Sequence, residues 1–185
     1  MTETSFPVPA ELFAAAESSS FSGTYEPLVF KAGPDLYTFD KPLAWQVSIT
    51  NTGGALLVIG TVEGVATTSC ARCMEPVVLS MMGEIEGYYL LSADDEADLE
   101  DVEEDEFEVL GPDNVIDLVP LIRAAILLEC PLVPLCDDAC KGLCPTCGKN
   151  LNEGDCDCVA TLDEAADATG RENPFAVLKD YPFEN

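Results

Sequence analysis

Six of the nine cysteines in this chain lie between positions 136 and 158, in the run LCDDACKGLCPTCGKNLNEGDCDC, and the sequence contains no histidine. No other feature constrains the fold as strongly. The spacing is Cys136-x3-Cys140-x3-Cys144-x2-Cys147-x8-Cys156-x-Cys158. Zinc takes about four ligands at roughly 2.3 Å from each sulfur, so a tight turn that presents two thiolates on one side suits it. Cys144-Pro145-Thr146-Cys147-Gly148 has that form, and Gly148 supplies the positive φ such a turn needs. A second pair, Cys70-Ala71-Arg72-Cys73, lies far upstream. The cysteine-rich run is too short to bury an apolar core, so a metal is expected to serve as its core, with folding and binding coupled.

The 185 residues suffice for one domain with a small appendage, and a hydrophobic content of 48% permits a true core. No apolar run is long enough for a membrane span. The N-terminal stretch MTETSFPVPAELFAAAESSS lacks the basic head of a signal peptide, and a cytoplasmic protein is expected. In a reducing compartment such cysteine density implies metal or redox chemistry rather than disulfides. Eight Lys and Arg against 35 Asp and Glu leave a net charge of −27. Phosphate binding depends on basic side chains displacing counterions, so this chain is repelled by nucleic acid at long range and favours basic proteins as partners. Strong acidity is also a plain solubility device, and the charge is equally readable that way.

Along the chain, residues 1–22 are weakly patterned, with a short helix expected over Ala10–Glu17 and Ser18–Ser20 as its exit. From about 24 to 91 short strands follow. Trp45, Val47 and Ile49 alternate with Gln46 and Ser48 at period two. Asn51-Thr52-Gly53-Gly54 reads as a hairpin loop, and Ala55–Val62 as a returning strand buried on both faces. Val65–Ser69, Val77–Met82 and Glu84–Leu91 continue the meander, with the Cys70–Cys73 turn between two of them. Residues 93–106, ADDEADLEDVEEDE, hold ten acids in fourteen positions and read as a solvated loop, or as an acidic decoy for a basic surface. Phe107–Leu110 is one more strand. Asp117–Glu129 is the clearest helix, capped by Asp117, with Pro120 in its first turn and Pro131 ending it. Asn173–Lys179 reads as a short capped helix.

The expected fold class is therefore α+β: an antiparallel, partly closed β-sheet packed by a helix, with a C-terminal Cys-rich, zinc-ribbon-like knob. The expected divisions are residues 1–22 as an N-terminal segment, 23–131 as the α+β core, and 132–185 as the knob and C-terminal helix. Candidate metal ligands are Cys136, Cys140, Cys144, Cys147, Cys156 and Cys158, with Cys70 and Cys73 as further candidates. The CPTCG turn is completed either by Cys156 and Cys158 or by Cys136 and Cys140, or six thiolates share two metals through bridging sulfurs. Cys70 and Cys73 are plain buried cysteines, a redox pair whose thiol pKa Arg72 lowers, or a half-site that joins the knob across the fold. Zinc is preferred, although an iron–sulfur cluster takes the same ligands. Excess thiolates without histidine favour a closed structural site over a catalytic one. Absence of histidine also removes the Ser-His-Asp and Cys-His arrangements, and no glycine-rich phosphate loop is present, so an enzyme is not expected.

A sheet-like first half carrying C-x-R-C, an acidic stretch, a helix opening Ile116-Asp117-Leu118, and then Pro-Leu-Cys-x3-Cys-x-Gly-Leu-Cys-x2-Cys-Gly-x-Asn-Leu-Asn with a Cys-x-Cys together resemble the YceD family. The closing Asn173-Pro-Phe-Ala-Val-Leu resembles that family's end. The resemblance runs from about Leu43 onward. It implies a non-enzymatic role in large-subunit ribosomal RNA synthesis, processing or accumulation, with a ribosomal protein or a large-subunit precursor particle as partner. Family members that lack the knob imply a metal that staples structure rather than performing chemistry. Glu129-Cys130-Pro131 departs from the family's apolar run before the proline and sets Cys130 apart from the ligands. Any direct RNA contact would begin at Lys141, Lys149 and Arg171, the basic residues near the knob. The alternative function is a thiol-redox or metal-responsive regulator that uses Cys70 and Cys73. A zinc adaptor for transcription is chemically allowed.

Overall fold

A computed structural model describes residues 4–27, 29–92 and 107–158. The acidic stretch at 93–106, the closing helix at 173–179 and Arg171 lie outside these residues. The described residues divide into two compact units: those of 1–71 with 75–136, and those of 72–74 with 137 onward.

The first unit is a mostly antiparallel sheet with one helix, an α+β arrangement. Its strands are β1 (Ser5–Pro7), β2 (Ser18–Tyr25), β3 (Val29–Ala32), β4 (Asp35–Phe39), β5 (Leu43–Asn51), β6 (Ala55–Ser69), β7 (Pro76–Leu90), β8 (Glu108–Val109) and β9 (Val115–Asp117). Strand order in the main sheet is β2-β5-β6-β4-β3, with β7 on the other edge of β6 and β8 parallel to β7. The small strand β1 pairs with β9. The β5–β6 hairpin turns through Thr52–Gly54, where Gly53 has φ 116° and its N–H bonds the Asn51 side chain. That loop is where the glycines placed it.

Several elements differ from the sequence reading. Ala10–Phe13 is a single 3-10 turn, and Ser18–Ser20 begin β2 rather than ending a helix. Serine is a poor strand former, but β2 gains a full antiparallel ladder along β5, which overrides propensity. The strands expected at 55–62 and 65–69 are one strand, β6, and those expected at 77–82 and 84–91 are one strand, β7. Their register is continuous from Ala55↔Leu90 to Ser69↔Pro76. The expectation that residues 55–62 are buried on both faces fails, because Ile59 is 53% exposed. A continuous apolar run does not report which faces are covered.

The helix α1 spans Val119–Glu129, shorter at its start than expected because Asp117 ends β9. Asp117 still caps from that position: its Oδ1 accepts the Val119 N–H at 3.0 Å. Ile122, Ala125 and Ile126 face a core that includes Tyr37, Val58, Val62, Met81 and Ile85. Two glycines of β7 let the helix come close. A Cβ at Gly83 would stand 2.7 Å from the Ala125 carbonyl oxygen, and one at Gly87 2.6 Å from a Leu121 methyl. The odd-numbered residues of β7 thus face α1, and Glu84 and Glu86 point to the opposite side of the sheet, where they are exposed. No helix among the described residues is long and apolar enough to cross a membrane.

Candidate metal centres

β6 ends at Ser69 and β7 begins at Pro76, so the turn between these two long strands carries Cys70 and Cys73. The turn is closed by the Cys70 N–H on the Glu75 carbonyl at 2.8 Å, and Met74 takes φ 64° to complete it. The Ala71 N–H donates to the Pro134 carbonyl at 2.8 Å. Arg72 Nη1 donates to the carbonyls of Asp138 and Cys140, at 3.1 and 3.0 Å, and the Arg72 carbonyl accepts the Leu143 N–H at 3.0 Å. The Arg72 guanidinium thus also holds backbone, a role that its place in the CARC turn did not announce.

The sulfurs of Cys70, Cys73, Cys136 and Cys140 all lie within 4.8 Å of one another. Cys70, Cys73 and Cys140 are buried and Cys136 is exposed. Around Cys140 the chain is fixed by side chains that cap its loop. The Asp137 carboxylate accepts the Ala139 N–H at 2.8 Å, and the Asn152 amide donates to the Cys140 sulfur at 3.2 Å.

A second group consists of Cys144, Cys147, Cys156 and Cys158, whose sulfurs also lie within 4.8 Å of one another. The CPTCG turn is built as its glycine suggested. Gly148 takes φ 72°, its N–H bonds the Cys144 carbonyl at 2.9 Å, and the Cys144 N–H bonds the Lys149 carbonyl at 2.8 Å. Leu143 and Asn150 bridge across its base, and the Leu151 N–H returns to the Gly142 carbonyl at 2.9 Å. Asn150 and Asn152 arrange the closing loop: the Asn150 side chain accepts the Asn152 N–H at 3.0 Å, and the Asn152 side chain accepts the Lys141 N–H at 2.8 Å. Asparagine commonly holds backbone in this way, yet nothing in its spacing singled out Asn152.

The sulfurs of the second group compete for charge. Backbone N–H groups of Cys147 and Thr146 point at the Cys144 sulfur, with the Cys156 thiol also donating, and lower the Cys144 pKa to about 6. Cys158 is pushed up to about 12, chiefly by its hydrogen bond with Cys147, and Cys156 is raised by its bond with Cys144. Four sulfurs this close cannot all carry charge unaided. A divalent cation among them removes the conflict, because tetrahedral zinc at roughly 2.3 Å from each sulfur sets the sulfurs about 3.8 Å apart. Both groups can hold a metal ion in this way. With four thiols each, neither reserves a ligand position for a substrate.

All six knob cysteines and the upstream pair therefore fall into two groups of four, and Cys130 is in neither. Its sulfur bonds the Ile126 carbonyl at 3.3 Å, and burial raises its pKa. None of the nine cysteines forms a disulfide. Lys141 and Lys149, singled out for RNA contact, are both drawn to Asp155: Lys141 Nζ stands 3.8 Å from its carboxylate, and Lys149 Nζ donates to its carbonyl at 2.8 Å.

A family described as large ribosomal RNA subunit accumulation protein YceD matches residues 58–181, from near the start of β6 through both cysteine groups. An uncharacterised protein of Mycobacterium tuberculosis is 35% identical over 126 residues, covering 65% of this chain and 58% of its own length. A chloroplastic protein of Zea mays, named large ribosomal RNA subunit accumulation protein YCED homolog 1, is 32% identical over 138 residues, or 60% of this chain and 46% of the maize protein. Its Arabidopsis thaliana counterpart of the same name is 28% identical, over 66% of this chain and 45% of that protein. The chain thus spans about half the length of these curated relatives. No solved structure matches it significantly. With 58–181 of its 185 residues matched, the chain belongs to the YceD family of large ribosomal RNA subunit accumulation proteins.

Proposed function

We propose that this protein is a non-enzymatic ribosome-biogenesis factor, acting in the cytoplasm, that supports accumulation of the large-subunit ribosomal RNA by holding a basic ribosomal protein or a precursor particle that carries one. The observation that carries the reading is the family match, which spans the long hairpin and both thiol groups. The charge of −27 gives the partner its chemistry: polyphosphate is repelled and a basic protein is attracted. Two zinc ions, one per thiol group, act as structural staples within a sheet that curls partly closed and a zinc-ribbon-like knob. Closed four-thiol sites support that role over catalysis. The redox alternative loses support at Cys70 and Cys73, whose side chains are 0% and 3% exposed and thus withheld from a thiol partner.

The test is a crosslinked pull-down with the full-length protein from its own cells, treated with nuclease before the bound fraction is identified. Retention of a basic ribosomal protein after RNA removal is the expected result. Loss of everything with the RNA would overturn the protein-holding reading and move attention to Lys141 and Lys149.

A further inference from the structure

The face of the sheet turned away from α1 is uncovered among the described residues. Register places its side chains in rows across four strands: Ser20, Ser48, Ile59 and Glu86 in one, Ser22, Gln46, Thr61 and Glu84 in the next, Thr24, Ala44, Glu63 and Met82 in a third. A shallow cleft of about 700 Å³ runs over the first two rows. Hydroxyls and amides of this face largely bond each other, as Gln46 does Thr61 at 3.3 Å and Thr50 does Ser18 at 3.0 Å. Two kinds of side chain remain available to an outside partner.

The first kind is apolar. Val65, Val78 and Met82, 55–68% exposed, lie close together at one end of the β6–β7 face, and Ile59, 53% exposed, lies at the other end beyond Thr61 and Glu84. The second is anionic. Glu63, Glu84 and Glu86 are exposed between these apolar side chains, and β2, β5, β6 and β7 contain no lysine or arginine. Every formal charge on these four strands is therefore negative. Nucleic acid is repelled from such a surface, and a second copy of the same face would set like charges together. A lysine side chain fits both features at once, laying its methylene stem on an apolar side chain while its ammonium reaches a carboxylate.

We propose that this open face of β2-β5-β6-β7 is the docking surface for a basic protein segment in which lysines alternate with aliphatic residues. The proposal rests on the protein-holding reading above and names the place where the hold occurs. Glu63, Glu84 and Glu86 select for positive charge, and the exposed aliphatic side chains on either side of them, Ile59 at one end and Met82, Val65 and Val78 at the other, supply the dry contact.

The probe is a short synthetic peptide alternating lysine and valine, titrated into the isotope-labelled full chain while backbone amide shifts are followed. Peptides alternating lysine with serine and glutamate with valine, and poly-uridine RNA, serve as comparisons. Expected shifts fall on β5, β6 and β7, with the lysine–valine peptide bound tighter than the lysine–serine peptide. The combined Glu63→Lys, Glu84→Lys, Glu86→Lys variant should bind about tenfold or more weakly, because like charges at a contact repel. A control with the same charge change elsewhere, Glu11→Lys, Glu26→Lys, Glu153→Lys, should retain affinity within about twofold by the same argument. All these positions are exposed, so folding is preserved and is checked in the same spectra. Shifts elsewhere, equal loss in both triple variants, or tighter binding of the RNA would overturn the proposal. Repeating the nuclease-treated pull-down with the face variant separates the two claims. If wild type and variant retain the ribosomal protein alike, this face is wrong and the holding function stands. If wild type retains none, the holding function fails, and the peptide titration alone decides whether the face binds basic segments.

Discussion

Arg72 sits between two metal-ligand candidates and yet holds backbone, joining its guanidinium to carbonyls 66 and 68 positions away in sequence. An arginine is suited to this because one nitrogen of its rigid fork can serve two acceptors at once. Its partner at the other side is Gly142, where a Cβ would come 3.0 Å from the Arg72 carbonyl oxygen and φ is already 76°. Replacing Arg72 by Met should cost about 1.5 kcal/mol, the lower end for bonds to a charged donor because the side chain is exposed. Thermal melts would show the loss, and zinc competition should show weaker retention at the Cys70 group with the Cys144 group unaffected. Gly142→Ala should cost about 1–2 kcal/mol from the left-handed backbone alone, read as a lowered urea midpoint. Both residues are plain in the sequence as types, but neither role was legible there, since each depends on a partner distant in the chain.

At the scale of elements, β7 and α1 depend on each other. The helix approaches the strand at Gly83 and Gly87, and a larger side chain would meet the helix backbone rather than a movable side chain at Gly83. Gly83→Val should therefore destabilise by about 3 kcal/mol, the upper range for overpacking, while Gly83→Ala should cost less; urea unfolding followed by circular dichroism separates them. Tyr89 ties the same strand to the start of the helix, its hydroxyl donating to the Asp117 carbonyl at 3.4 Å. Burial, then the charges of Glu108 and Asp117, raise its pKa well above the ordinary value of 10.0. A phenol raised in the folded state contributes stability that is intact below its unfolded pKa and is lost as pH climbs from there toward the folded pKa. Urea midpoints should thus fall above pH about 10, and Tyr89→Phe should make that fall shallower. An unchanged slope in the phenylalanine variant would assign the alkaline loss to other groups. The hairpin, the helix and the turn between β6 and β7 were readable from period, glycines and prolines. The continuity of β6 and β7 was not, because Gly64 and Gly83 look like breaks when only local propensity is consulted.

For the whole molecule, two sources of stability are distinct. The sheet unit holds an apolar cluster from Val8 to Ile126, whereas the cysteine-rich run contributes Cys140 and Cys144 as its buried apolar-class residues among those described. A metal-dependent segment and a metal-independent one are therefore expected. Chelation should bleach amide dispersion for residues 137–158 and leave β5, β6 and β7 protected from hydrogen exchange, because a site of this kind is itself the folding energy of a small segment. Elemental analysis of the native protein should give two zinc per chain. Cys147→Ser should remove one and leave the other, and removal of both by that single change would contradict two independent sites.

Sequence alone determined the ingredients: thiolates in excess without histidine, a glycine after the second cysteine of CPTCG, an acidic chain, an amphipathic helix with proline at its start, and family membership. Each is a property of neighbours along the chain, where spacing of two to four residues fixes geometry. Tertiary structure decided how the eight thiols sort into two sets of four. Cys70 and Cys73 meet Cys136 and Cys140 only through the fifteen-residue strands β6 and β7 and the chain that returns after α1, a closure that no local pattern encodes. It also decided that one side of β6 stays open among the described residues, since whether an apolar strand face is covered depends on what packs against it rather than on its own residues.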